Sequence, residues 1–280
     1  MKIAITGANG QLGLQFMNCS DNYSYNFIFF DKYEFDISNQ DVSESIFQKH
    51  KFDLLINCAA YTKVDEAENN YEAANLINNI SVLNIARLCE KYNVKLVHIS
   101  TDYVFDGKSN IPYNENHKTN PLTNYGITKR NGEISLINSR FKDFVVIRTS
   151  WLYSKFGENF YTKILKGARS QNTFKIIDDQ FGSPTNASDL VEFILDNIKK
   201  LFKKKSKLYH FSNNGICSWY EFALEIKKIC KLDIKITPIK TEEFYSKVKR
   251  PFYSVLDCSK AINDFNLDLI DWKTSLKKNK

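Results

Sequence analysis

The sequence predicts an α/β fold: a doubly wound parallel sheet over roughly residues 1–150, then a smaller mixed α/β region over 151–280. Three observations lead there. Short runs that are apolar throughout, rather than alternating, recur along the first half. Strands covered on both faces read that way. Helix-compatible stretches separate them, the pattern of strand–helix–strand crossovers. The first run also passes directly into a glycine-rich turn that opens a helix.

Taken in order, "KIAIT" (2–6) is the first strand and "GANGQLG" the turn after it. "YNFIFFD" (25–31) reads as a second buried strand ending on an acid, and "SESIFQKH" as a short helix. "FDLLINCAA" (52–60) is a third strand ending in small residues. One long helix is expected over about 66–92, from apolar positions at Ala67, Ala74, Ile77, Ile80, Leu83, Ala86 and Leu88. Asp65 reads as a cap for it. "VKLVHIS" (94–100) is a fourth strand, with His98 expected in the core. "YGITKRNGEISLINS" (125–139) follows as a helix and "FVVIRTS" (144–150) as a fifth strand. Past Trp151 the regularity fades. "ASDLVEFILDNIKKLF" is a helix capped by Asn186 or Ser188, and "LYHFSN" a short strand. In "SWYEFALEIKKIC", Ser218 and Glu221 form a capping box. Some of these later segments are expected to return to the first sheet.

Composition narrows the class. A 43% hydrophobic and 25% charged chain is ordinary for a globular protein. The 39 basic and 32 acidic residues leave +7, much of it in "KKLFKKKSK" and the lysine-rich tail. A nucleic-acid interface would want arginines or aromatics interleaved on one face, whereas these runs are lysine-rich and local, so they read as solvated surface. Six cysteines without metal-ligand spacing suit a reducing cytoplasm. Glycines arrive too early for a signal peptide, and no stretch nears the ~18 apolar residues of a membrane span.

The candidate site has two halves. Gly7, Gly10 and Gly13 permit a tight turn, a close backbone approach to a pyrophosphate and helix–strand packing. The helix start at Gln11 and Leu12 offers N–H groups to phosphates. Asp31 ends the second strand about 20 residues on, where a carboxylate reads the adenosine ribose. It favours NADH over NADPH, and Lys32 beside it opposes that, so either cofactor fits. Asp36 and Ile37 are placed near the adenine. The second half is Tyr125 and Lys129, four apart on one helix face. An ammonium stabilises a phenolate and binds a ribose hydroxyl. "STDYVFDG" (100–107) ends the fourth strand where such sheets bind ligands, and Thr101 brings a hydroxyl to a substrate carbonyl. Trp151, after the fifth strand, is placed against a sugar or base, with a core role as the alternative. Arg250, stiffened by Pro251, is placed as a diphosphate clamp, with a surface ion pair as the alternative.

"TGANGQLG", "NCAAYTKVDEAE", "LIN", "STDYVFDG", "YGITK", "RTSWLY", "NF", "DQFGSPT" and "RPFYSVLD" occur in an order and spacing that resembles the dTDP-4-dehydrorhamnose reductases. These are extended short-chain dehydrogenases with a Rossmann-like fold. The likeness covers about 255 of the 280 residues. Only Cys58 departs from the usual small run. The resemblance implies hydride transfer from NADH or NADPH to the C4 ketone of dTDP-4-dehydro-β-L-rhamnose. It implies Tyr125 as proton donor, Lys129 as its tuner and cofactor ligand, and Thr101 as ketone partner. Thr101, Asp102, Val104 and Trp151 would touch the sugar nucleotide. The glycine loop, Asp31, Asp36, Ile37, Ala59, Ala60, Tyr61, Thr62 and Asn78 would line the cofactor, Asn78 also supporting a proton relay. A homodimer and a Mg2+ ion rest on the resemblance alone. Two other readings stay open: a reductase of a different nucleoside-diphosphate 4-keto-6-deoxyhexose, and a non-catalytic regulatory subunit of the methionine adenosyltransferase type.

Overall fold

The computed structural model describes residues 1–246 and 248–279. Six strands form the main sheet: β1 (Lys2–Thr6), β2 (Asn26–Phe30), β3 (Leu54–Asn57), β4 (Lys95–Thr101), β5 (Phe144–Thr149) and β6 (Leu208–His210). Their order is β6-β5-β4-β3-β1-β2, every pair parallel. The five expected strands are there. β6 is the later segment that returns, adding an edge to the sheet from well beyond residue 150.

The apolar runs divide between two core layers because successive side chains in a strand point to opposite faces. Ile3, Ile5, Leu54, Ile56, Val97, Val145 and Ile147 face one layer, shared with α1 (Gln11–Cys19) and the helix Ala187–Leu201. Ala4, Leu55, Leu96, Phe144 and Val146 face the other. There they meet α2 (Gln40–His50), α3 (Ser81–Tyr92) and the buried side of α4 (Asn124–Ile137). The chain crosses from β2 past β1 to β3, so the winding reverses beside β1. A crevice opens outside the carboxyl ends of β1 and β3 at such a point.

The long helix expected over 66–92 is interrupted. A single turn, Val64–Ala67, stands apart, and Tyr71–Asn75 passes through a π-helical turn, Leu76–Ile80, into α3. Apolar spacing does not betray such a turn, because the helix continues on both sides of it. α4 packs directly against it. A Cβ on Gly132 would lie 2.1 Å from the Asn78 carbonyl oxygen. The two helices touch backbone to backbone there, and the Ser81 hydroxyl satisfies the Leu76 carbonyl at 2.7 Å.

The second region has its own core around Tyr153, Phe222, Ile226 and Trp272. Thr173–Ile177 pairs in parallel with Lys235–Ile239, and Phe181–Gly182 antiparallel with Cys217–Ser218. The capping box is formed: Glu221 N–H donates to Ser218 Oγ at 3.1 Å and Ser218 N–H to the Glu221 carboxylate at 2.8 Å. Asn186, not Ser188, caps the helix that follows it, accepting from Ser188 N–H.

Candidate active site

The glycine turn closes the end of β1. Gly7 is left-handed (φ 65°), and Gly10 N–H donates to its carbonyl at 2.9 Å. A Cβ on Gly7 would sit 2.9 Å from Ala59 N, and one on Gly13 2.3 Å from the Gly7 oxygen. The turn, the start of α1 and the end of β3 are thus pressed together as only glycine allows. Gly10 precedes α1 without any side-chain cap, and the buried Gln11 Nε2 has no partner. An uncapped helix start beside an orphaned buried amide is chemistry that suits a pyrophosphate. At the tip of β2 the Asp31 carboxylate accepts from Asn9 Nδ2 at 3.0 Å and from Tyr33 and Glu34 N–H at 2.8 and 3.0 Å. The Glu34 carboxylate accepts in turn from Asp31 N–H. Two carboxylates therefore stand together at the tip of β2 while Lys32 stays exposed. Asp36 turns back onto Ser38, and Ile37 is buried in the core, so neither hydrogen-bonds Asp31 among the described residues.

Asn78 ties the two halves of the site together. Its Oδ1 accepts from Tyr61 N–H at 2.9 Å, and its Nδ2 donates to the Tyr61 carbonyl at 3.0 Å and to Thr128 Oγ1 at 3.1 Å. Thr128 donates to the Tyr125 carbonyl at 2.9 Å. The Asn78 side chain, expected to support a proton relay, is thereby committed to anchoring the Ala59–Thr62 loop against α4.

The end of β4 faces α4. Thr101 Oγ1 donates to Asp102 Oδ1 at 3.0 Å and accepts from Tyr103 N–H at 3.2 Å. Asp102 is 2% exposed, and its Oδ2 is buried without a partner. Burial raises this carboxyl to about 6, with the hydroxyls of Ser254 and Thr101 pulling the other way. Val104 is fully buried beside Phe105 in a small core. Burial also pushes the Tyr125 phenol above its ordinary range, against the Thr101 hydroxyl, while Asp102 and Tyr103 add to the rise. Lys129 is 2% exposed and lowered to about 8 by burial, with Glu133 and Cys58 opposing. It makes no hydrogen bond to Tyr125 among the described residues. Its Nζ turns to the sheet instead, donating to the Ile99 carbonyl at 2.7 Å with His98 Nε2 at 3.4 Å. The expectation that the ammonium draws down the phenol is not met in this geometry.

Behind these groups lies a buried ion pair with no local signature in the sequence. Arg148 donates through Nε and Nη2 to Glu133 at 2.9 and 2.6 Å, and Ser100 Oγ adds a bond of 2.5 Å. It pins α4 to β4 and β5. Asp65 is not a cap: Lys63 precedes the turn Val64–Ala67, and Asp65 pairs with Arg250 at 2.8 Å. That pair anchors 250–257 over the site, where Pro251 lies against Gly107; a Cβ there would come within 2.6 Å of Pro251 Cα. The Arg250 guanidinium also faces the buried Tyr103 hydroxyl. Trp151, left-handed at φ 46°, stacks on Trp219 at 3.5 Å, and Gly182 packs on its indole. The indole face turned to Trp219 is closed to a sugar. No cluster of three or more metal-ligating side chains exists among the described residues. No described helix is long and apolar enough to cross a membrane.

The model of the RmlD substrate binding domain family matches residues 1–279. The spore coat polysaccharide biosynthesis protein SpsK of Bacillus subtilis is 40% identical over 99% of this chain and 95% of its own length. A dTDP-4-dehydrorhamnose reductase from Clostridium acetobutylicum superposes with a TM-score of 0.93 at 38% identity, covering 100% of this chain and 98% of that one. The Bacillus anthracis reductase of that name, solved in complex with NADP, gives 0.91 at 35% over 99% and 98%.

Proposed function

Because the chain belongs to the dTDP-4-dehydrorhamnose reductase family of nicotinamide-dependent oxidoreductases, we propose that it reduces the C4 ketone of dTDP-4-dehydro-β-L-rhamnose to dTDP-β-L-rhamnose. The observation that carries this is the meeting of Thr101, Asp102 and Tyr125 at the end of β4, with Lys129 on the Ile99 carbonyl of the same strand. The reduced nicotinamide, when bound, supplies the hydride. The residues do the rest. The Thr101 hydroxyl orients the carbonyl oxygen. Tyr125, protonated at neutral pH, gives its proton to that oxygen as charge develops. Lys129 holds the nicotinamide ribose.

In this reading residues 1–150 hold the cofactor. Residues 151–280 hold the sugar nucleotide, apart from β6 and the helix before it. Gly7, Gly10, Gln11, Leu12 and Gly13 cradle the pyrophosphate. Asp31, with Glu34, reads the ribose and favours NADH. Asp36, Ile37 and the loop Ala59–Thr62 flank the rest. Asp102 and the edge of Trp151 shape the sugar pocket, while Val104, expected at the sugar, supports it from the core beneath. Arg250 exchanges Asp65 for the substrate diphosphate. The enzyme works in the cytoplasm and feeds a cell-surface polysaccharide. An intact Thr101–Tyr125–Lys129 set favours catalysis over a regulatory role. The test is consumption of NADH and of NADPH, each with dTDP-4-dehydro-L-rhamnose, the product being identified by NMR. Turnover to dTDP-L-rhamnose supports the reading. A C4 epimer, or binding of cofactor without turnover, overturns it.

A further inference from the structure

Under the site, three polar side chains stand side by side on adjacent strands, Thr6 and Asn57 at the ends of β1 and β3 and His98 within β4. Thr6 pairs in register with Asn57, and Asn57 with His98. All three are at most 1% exposed. Thr6 Oγ1 lies 2.7 Å from Oδ1 of Asn57, the Asn57 Nδ2 3.1 Å from His98 Nδ1, and His98 Nε2 3.4 Å from Lys129 Nζ. A row of hydrogen-bonding groups thus runs from the glycine turn to the catalytic lysine, and the mechanism above uses none of it before Lys129.

The chemistry of the row restricts its protons. His98 is neutral, since burial and the Lys129 charge hold it well below its ordinary range. A neutral imidazole donates from one nitrogen and accepts at the other. With Asn57 presenting its NH2 to Nδ1, the proton lies on Nε2 and points at Lys129, which suits only a neutral amine. With the carboxamide turned over, a change that leaves its shape the same, its NH2 donates to Thr6 Oγ1 in place of the bond now accepted from Thr6, Asn57 accepts from Nδ1–H, and Nε2 accepts from an ammonium. Two donors facing each other in a dry interior are costly. A charged Lys129 therefore selects the second arrangement.

We propose that His98 is a positioning residue for Lys129: as the Nδ1–H tautomer held by Asn57, it accepts one ammonium N–H. The Ile99 carbonyl accepts a second, leaving one N–H for the cleft and the ribose. This rests on the role given to Lys129 above. The other titratable groups facing Lys129 are Glu133, one turn along α4, and Cys58, at the end of β3. Neither replaces a lost acceptor, because neither hydrogen-bonds Nζ.

Two experiments test it. In the full chain without cofactor, labelled with 15N-histidine, His98 at neutral pH should show the Nδ1–H tautomer. An Nε2–H tautomer or an imidazolium there overturns the proposal, whether or not the protein turns over a sugar. In kinetics, activity that needs the ammonium is present below the Lys129 pKa and lost as pH rises through it. His98→Leu removes an acceptor from the charged form, so this alkaline limb should move down by about one pH unit, a tenfold change in the proton equilibrium. His98→Gln, whose oxygen can accept, should restore it in part. An unmoved limb in His98→Leu contradicts the proposal. So does a fall in rate at all pH values that His98→Gln fails to rescue.

Discussion

Desolvation holds the Tyr125 phenol above its ordinary range, so it stays protonated at neutral pH, and a proton donor requires that form. In the proposed mechanism it serves by its placement opposite Thr101 rather than by acidity. Tyr125→Phe should lower kcat by about 10²–10⁴-fold, the range for a positioned acid, while cofactor affinity measured by fluorescence titration stays near that of the parent. Retention of a tenth of the rate would remove Tyr125 from the acid role. At the other end of the site, Asp31 and Glu34 hold two carboxylates together at the tip of β2, and in the proposed reading they face the cofactor ribose. Asp31→Ala should raise the NADPH-to-NADH ratio of kcat/KM; an unchanged ratio would mean that Asp31 does not read the ribose. The glycine turn and the Tyr–Lys pair are legible in the sequence because their parts are neighbours along the chain. The contacts of His98 are not. Asn57 and Lys129 lie 41 and 31 residues away and reach it only through strand register and a packed helix.

At the level of elements, the site depends on how closely α4 approaches the π-helical turn. Gly132 lets the Asn78 backbone into contact, and the Asn78 side chain then fixes Tyr61 and Thr128. Gly132→Ala places a methyl 2.1 Å from a carbonyl oxygen, which the packed backbone cannot relieve by a rotamer change. It should cost about 1–3 kcal/mol of stability in urea unfolding and raise KM for the cofactor, since Asn78 anchors the loop. A variant as stable as the parent would show that the helices separate freely. The apolar spacing over 66–92 indicated one helix, but the π turn rotates the face that follows it and leaves Ile80, expected on the apolar side, 44% exposed. β6 escaped assignment to the main sheet for another reason. Three residues, Leu208–His210, make too short a run to show which sheet they join.

For the molecule as a whole, buried charge couples the site to stability. The Asp102 carboxyl stands near 6 in the folded protein, against about 3.9 in an unfolded chain. Between those values the folded state holds a proton that the unfolded state has released. Stability from this group is therefore greatest at low pH and declines as pH rises through about 6. Asp102→Asn should flatten that decline in thermal unfolding followed from pH 4 to 7; equal slopes in both proteins would place Asp102 in a wetter setting. The large-scale layout was legible because buried parallel strands are apolar on both faces. The fastening of residues 250–257 over the site was not, because Arg250 and Asp65 are 185 residues apart and neither forms part of a periodic pattern. In the proposed reaction this assembly delivers hydride to C4 of a keto sugar. That transfer is tested most directly with NADH deuterated at both C4 positions and dTDP-4-dehydro-L-rhamnose, the product being examined by NMR. Deuterium on C4 of dTDP-L-rhamnose is the predicted result. A product without deuterium at C4, or with the opposite C4 configuration, would contradict the account.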